Sequence, residues 1–391
     1  MKKIHLFLFT LILFAASCNQ SENSVYPNDS GQAGEITPKT ALTVAKNFDA
    51  FISVVSAKGD VKNARTGNKE KTVKKITPFK DSDNKILYYV INYQGGGFTV
   101  ISAEKKMMPI IAFSETNDFP VDSELPAGIK ETMGIYQASI QKLRNENASE
   151  DPKVAREWAR FGDASALDEL IKSGARTMDD PIDPPCEEAQ IYAAPLLTTN
   201  WGQGCGYTAQ MPPMSGCTII CDNAYTGCIP TAMAQVMNYH RFPNSFDWSA
   251  MGTWQPETNR LMRALANSVS TTYTCTGSSA VPTSVRNAFV NTFGYNSGAN
   301  FANFNSSTIM NEIGNYSRPV ILHGYNSAIA NGHSWVADGY IQYYNCTSGW
   351  GEPYFHMNWG WDGAHNGFYA SYTPNGKNFN YNKKMDVYIR P

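Results

Sequence analysis

Apolar positions along this 391-residue chain change their period several times. "TPKTALTVAKNFDAFI" repeats them at helical spacing, with a start signal at Thr37 or Thr40. "KILYYVINYQGGGFTVISAEKK" reads as two strand runs joined through Gly95–Gly97, a hairpin. "GIKETMGIYQASIQKLRNEN" and "DPKVAREWARFG" return to a helical period with charged outer faces. Further on, "TGCIPTAMAQVMNYH", "NRLMRALANSV", "VPTSVRNAFVNTFGY" and "SSTIMNEIGNYS" read as helices. The C-terminal part turns strand-like in "RPVILHGYN", "GHSWVADGYIQYY", "PYFHMNWGW", "GFYASYTP" and "KKMDVYIRP". A helical part followed by a β-rich part predicts a cleft with groups supplied from both sides.

Composition divides the chain. Residues 19–185 hold 45 charged side chains in 167 positions, and residues 186–391 hold 19 in 206. The change falls at "MDDPIDPPC", where acidic, proline-rich residues without a period predict an exposed linker at 179–185. The first half then reads as a smaller α+β domain at 37–178, and the second as a domain at 186–391. The net charge of −2 gives no reason to expect nucleic acid as a partner.

At the N-terminus, Lys2 and Lys3 precede "IHLFLFTLILFAAS", which is too short and too terminal for an ordinary spanning helix and reads as an export signal over 1–17. Small residues before Cys18, with polar "NQSENS" after it, resemble a bacterial lipoprotein signal. Acylated Cys18 would tether the chain to an outer membrane or cell surface through 18–36, and secretion is the other outcome. Export permits disulfides. Seven cysteines remain: Cys186, Cys205, Cys217, Cys221, Cys228, Cys275 and Cys346, and an odd count leaves at least one thiol unpaired.

Cys228 stands directly ahead of the stripe Ile229, Ala232, Met233, Val236, Met237 and His240. Pro230 is tolerated only in the first turn, so it pins the helix start near Cys228, with Thr226 as a reasonable cap. Free N–H groups at that end favour a thiolate. A buried thiol, a disulfide with Cys217 or Cys221, or a zinc site of those three cysteines would use the same position. A thiolate nucleophile needs an imidazole and a group to orient it. His333 opens its strand after Asn331–Gly332, and the next strand ends at Asn358. In a hairpin centred near Thr347 the two would lie roughly opposite. Gln203, in a glycine-rich loop, offers an amide N–H for an oxyanion.

Together "NWGQGCGY", "TGCIPTAMAQVMNYHRFP", "NGHSWVADGY" and "YFHMNWGWDGAHNGFY" resemble, in order, the motifs of the streptopain family of papain-like bacterial cysteine peptidases. "LYYVINYQGGGFTVISAEKKMMPIIAFSE" resembles the hairpin region of that family's propeptide. The resemblance implies an α+β fold: a papain-like catalytic domain with a helical and an antiparallel β lobe, preceded by a smaller inhibitory propeptide domain. It implies a zymogen that hydrolyses proteins or peptides without metal or cofactor. Cys228 would be the nucleophile, His333 the general acid/base, Asn358 its orienter and Gln203 an oxyanion donor. Trp359 and Trp361 would wall the site and Gly332 would admit the substrate backbone. Activation is expected within 171–194, where Arg176 suits a trypsin-like protease. The alternatives are a non-catalytic surface binding lipoprotein and a cell-wall amidase with the same Cys–His chemistry.

Overall fold

A computed structural model describes residues 36–58, 71–146, 149, 151–162, 189–217, 222–325, 332–345, 349–371 and 383–391. The export signal, Cys18, the tether, Arg176 and the 179–185 linker lie outside the described residues.

The N-terminal part runs α1 (Pro38–Lys58), β1 (Val73–Lys80), β2 (Ile86–Tyr93), β3 (Phe98–Ser102), β4 (Ile110–Ser114), α2 (Ala127–Asn145) and α3 (Pro152–Gly162). The β2–β3 hairpin forms where the sequence predicts it, and Gly95, Gly96 and Gly97 all take positive φ in its turn. At Gly96 a Cβ would sit inside the carbonyl of Thr116, so only glycine fits there. β4 is a short apolar run buried on both faces, with no alternation to announce it.

β5 (Ala189–Ala193) leads into the second part. Its helices are α4 (Cys228–His240), α5 (Pro256–Ser268) and α6 (Ser306–Tyr316). Asn305 caps α6 by accepting the Thr308 N–H at 2.8 Å. The helix expected over "VPTSVRNAFVNTFGY" forms as one α turn, Ser284–Asn287, that widens into a π turn over Ala288–Thr292. A small hairpin pairs β6 (Thr272–Thr274) with β7 (Gly277–Ser279). The remaining strands are β8 (Asn300–Asn303), β9 (Val320–Tyr325), β10 (Gly332–Asn345), β11 (Gly349–Trp350), β12 (Tyr354–Asn358), β13 (Gly367–Ala370) and β14 (Lys384–Val387).

One antiparallel sheet takes the order β1-β2-β3-β4-β13-β12-β10-β9-β14-β8, with β5 and β11 also paired to β10. It crosses from the N-terminal part into the C-terminal part where β4 meets β13, Phe113 opposite Phe368 and Ala112 opposite Tyr369. The Phe113 and Phe368 rings stack at 5.2 Å, and Tyr136 donates to the Ala370 carbonyl at 2.9 Å. Gly367 makes this approach possible, since a Cβ there would lie 2.6 Å from the Phe113 carbonyl oxygen.

β10 divides two cores. Trp335 and Ala337 join the N-terminal helices and strands on one face, while Val336 joins α4 and α5 on the other. This is an α+β fold with a helical lobe, an antiparallel β lobe and a smaller α+β domain ahead of them.

Candidate active site

α4 starts at Cys228, as Pro230 in the first turn requires. Its cap is Gly227, not Thr226. Gly227 has φ 91° and ψ 154°, a conformation essentially reserved for glycine. Thr226 is fully buried instead. Its hydroxyl lies 2.9 Å from that of Thr231, and its N–H donates to the Gln203 carbonyl at 3.0 Å. These bonds fasten the Gln203 loop to the front of the helix. The Gln203 Nε2 is buried there without a hydrogen-bond partner.

Cys228 is a free thiol and partly buried. Cys217 is bonded to Cys275, which removes both the Cys217–Cys228 disulfide and the three-cysteine zinc site. Cys205 is disulfide-bonded as well. Donor groups of the Cys228 and Ile229 backbone and of Ser334 on β10 act to hold the thiol down. Packing around the sulfur outweighs these donors and pushes the thiol above its ordinary value.

His333 and Ser334 are neighbours on β10 and project to opposite faces. Ser334 faces α4, whereas His333 lies among indoles, 5.5 Å from Trp361, 5.9 Å from Trp335 and 6.4 Å from Trp359 between ring centres. Its Nε2 donates to the Trp359 carbonyl at 2.9 Å. Burial pushes the imidazole down to about 4, so it is neutral at pH 7. Trp359 is buried beneath this stack, and Trp361 is partly exposed. Gly332 opens β10, paired with Tyr325.

Asn358 ends β12 opposite Val336, three residues along β10 from His333. Its amide is taken up elsewhere. Its Oδ1 accepts from Gln235 Nε2 at 3.1 Å, and its Nδ2 donates to the Thr199 carbonyl at 2.8 Å. Gln235 Oε1 also accepts from Thr199 Oγ1 at 3.0 Å and from the Trp201 N–H at 3.1 Å. Gln235 is thus the buried pin between α4, the loop carrying Gln203 and the end of β12. Lying off the apolar stripe of α4, it carries no signal in the hydrophobic pattern. Ile229 through Met237 are all buried, because α5 covers one side of this helix and β10 another.

The structure therefore brings Cys228 and Gln203 to one helix end. It places Asn358 behind them and turns His333 to the Trp359 carbonyl. The thiol is pushed up and the imidazole down, so neither favours its charged form near neutral pH. Among the described residues no group of three His, Cys, Asp or Glu side chains converges as a metal site.

A model of the Peptidase C10 family matches residues 201–259 and 244–369, and one of the Spi protease inhibitor matches 33–140. Streptopain of Streptococcus pyogenes is 24% identical over 334 residues, covering 72% of this chain and 73% of the relative. The thiol protease/hemagglutinin PrtT of Porphyromonas gingivalis is 24% identical over 388 residues, covering 87% of this chain and 39% of that protein. Among solved structures, a mutant fragment of Prevotella intermedia prointerpain A superposes with a TM-score of 0.53 at 21% identity. It covers 81% of this chain and 99% of that one.

Proposed function

Because the chain belongs to the streptopain-like C10 family of cysteine peptidases, we propose that Cys228 is its nucleophile and His333 the general acid/base of an acyl-enzyme mechanism. The observation that carries this reading is the free thiol at the first residue of α4, the helix end whose backbone N–H groups have no partner within the helix. In the working enzyme the imidazole leaves the Trp359 carbonyl and takes the thiol proton. The thiolate then attacks the peptide carbonyl, the imidazolium protonates the departing amine, and water hydrolyses the thioester. Gln203, whose amide nitrogen is buried without a partner in the loop bonded to Thr226, donates to the oxyanion together with the Cys228 N–H. Asn358 holds the strand end that carries the Trp359 carbonyl. Trp359 and Trp361 keep water from the imidazole, and Gly332 leaves room for substrate backbone.

The protein is a zymogen whose N-terminal part is inhibitor-like, and its substrates are proteins. The propeptide domain spans 37–178 and the catalytic domain 186–391. The prodomain holds the site latent until a cut between them, with Arg176 offered to a trypsin-like protease. The 1–17 leader directs export, and acylated Cys18 tethers the precursor to the outer membrane or cell surface. Membership of a peptidase family replaces the reading as a non-catalytic binding protein.

The test is Cys228→Ala in the purified precursor, treated with trypsin and assayed on an unfolded protein. Loss of hydrolysis with an unchanged circular dichroism spectrum supports the assignment. Retained hydrolysis removes it.

A further inference from the structure

The segments that build the candidate site, 201–207, 226–235, 332–336 and 358–366, contain a single Asp, Glu, Lys or Arg, and it is Asp362. The mechanism above gives it no part. It is exposed, whereas Gly363, His365 and Asn366 after it are buried. Among the described residues no lysine or arginine pairs with it.

The turn that follows β12 fixes where this carboxyl sits. Asp362 takes φ 52° and Gly363 φ 82°, and the Ala364 N–H closes the turn by donating to the Trp361 carbonyl at 2.9 Å. Asn366 clamps it from two sides. Its Oδ1 accepts the Trp359 N–H at 3.0 Å, and its Nδ2 donates to Asn200 Oδ1 at 3.1 Å. The turn is thereby laid against the loop that carries Gln203, so closely that a Cβ on Gly202 would collide with the Asp362 carboxyl. The Gly202 carbonyl oxygen lies 3.4 Å from the Thr231 hydroxyl, in the first turn of α4. On its other side Asp362 adjoins Trp361, whose ring stacks 5.5 Å from that of His333.

These neighbours say which part of a substrate the carboxyl meets. During acyl transfer the carbonyl oxygen of the cleaved bond turns to Gln203 and the departing amine to His333. A carboxylate between the Gln203 loop and the indole stacked on His333 lies on the departing side. Desolvation against the loop raises its pKa from the usual 3.8, and a cation brought beside it recovers part of that cost.

We propose that Asp362 is a specificity-determining residue that favours lysine or arginine in the two positions directly after the cleaved bond and disfavours acidic residues there. A positive side chain in those positions is attracted and a negative one repelled, with no other fixed charge in the site segments to offset either. Because Asp362 faces solvent, both effects are open to screening by salt.

The inference rests on Cys228 and His333 being the catalytic pair, and the experiment separates the two. Three internally quenched peptides share the sequence before the cleaved bond and carry two lysines, two alanines or two glutamates directly after it. They are assayed at pH 7 with precursor activated by trypsin, the trypsin then being removed and inhibited, and mass spectrometry identifies the bond cut. The lysine peptide is expected to exceed the glutamate peptide about tenfold in kcat/KM at low salt, with alanine between them and the ratio shrinking toward one in about 1 M salt. Asp362→Asn keeps the size and tolerates the φ of 52°, and it should bring the ratio near one already at low salt. Asp362→Lys should reverse the order. A lysine-to-glutamate ratio that stays the same in Asp362→Asn overturns the inference while leaving the catalytic pair standing. An activated parent that cleaves none of the three peptides removes both.

Discussion

Gln235 and Asn358 hold each other by two reciprocal amide hydrogen bonds, each 3.1 Å long, in the buried space between α4 and β12. Neither amide has water to fall back on, so each is satisfied only while the other is in place. Gln235→Ala strips one partner from Asn358, from Thr199 and from the Trp201 N–H together. Thermal or urea unfolding should show a loss of about 1–3 kcal/mol for each amide left orphaned. The activated enzyme should lose kcat as well, because Gln235 also holds the Trp201 N–H, two residues before Gln203, in the loop bonded to the head of α4. A Gln235→Ala protein as stable and active as the parent would refute this linkage.

Gly227 supports the front of α4 in a conformation costly for any other residue, and a Cβ added there would lie only 3.2 Å from the Ser278 carbonyl oxygen. Gly227→Ala should therefore cost about 1–3 kcal/mol. It should lower activity beyond what stability explains, because the strain falls on the residue preceding the nucleophile. The measurement is kcat at temperatures well below each variant's own Tm.

In the precursor the Cys228 thiol is pushed up and the His333 imidazole down to about 4, so neither is charged at neutral pH. Thiolate is scarce in that state, and alkylation at pH 7 should be slow, rising only in alkaline solution. On the proposed mechanism, removing the prodomain should let the pair ionise and raise reactivity at pH 7 at least tenfold. Equal rates before and after activation would mean that latency is imposed by covering the cleft alone.

His365 sits buried where the two parts of the chain meet, its ring 4.7 Å from that of Phe119. Burial lowers it to about 4, below its ordinary 6.5. The unfolded chain therefore takes up the proton first. The stabilisation is complete above pH 6.5, falls as the pH drops toward 4, and levels off below that. The loss is at most ~3 kcal/mol. His365→Asn removes the titration and tolerates the residue's φ of 64°. The variant should flatten this part of the acid limb in unfolding curves collected from pH 7 to 4.

Local patterns carried much of this fold. Gly95–Gly97 marked the hairpin, and Pro230 fixed the first turn of α4, with Cys228 unpaired at its head. What the patterns could not carry is where one element's neighbours lie. α4 reads as amphipathic but is covered all round, which hid Gln235. The hairpin placed His333 and Asn358 roughly level, yet a three-residue offset is ~10 Å along a strand. Trp361, past the end of β12, is the residue whose ring stacks on His333. His323 stands alone inside the apolar strand "PVILHGY". A lone histidine in an apolar strand asks for a partner, and Asp386 supplies it from 63 residues away.

The junction of β4 with β13 bears on how the zymogen is switched on. A cut in the connecting segment breaks no bond of the shared sheet, so it only turns a tethered neighbour into a bound one. From then on separation is a matter of dilution, because the high local concentration set by the tether is gone. Nicked enzyme at high concentration should remain silent and awaken as it is diluted, or as the freed fragment is digested. The timing of activity would then follow the fate of that fragment more closely than the moment of cleavage.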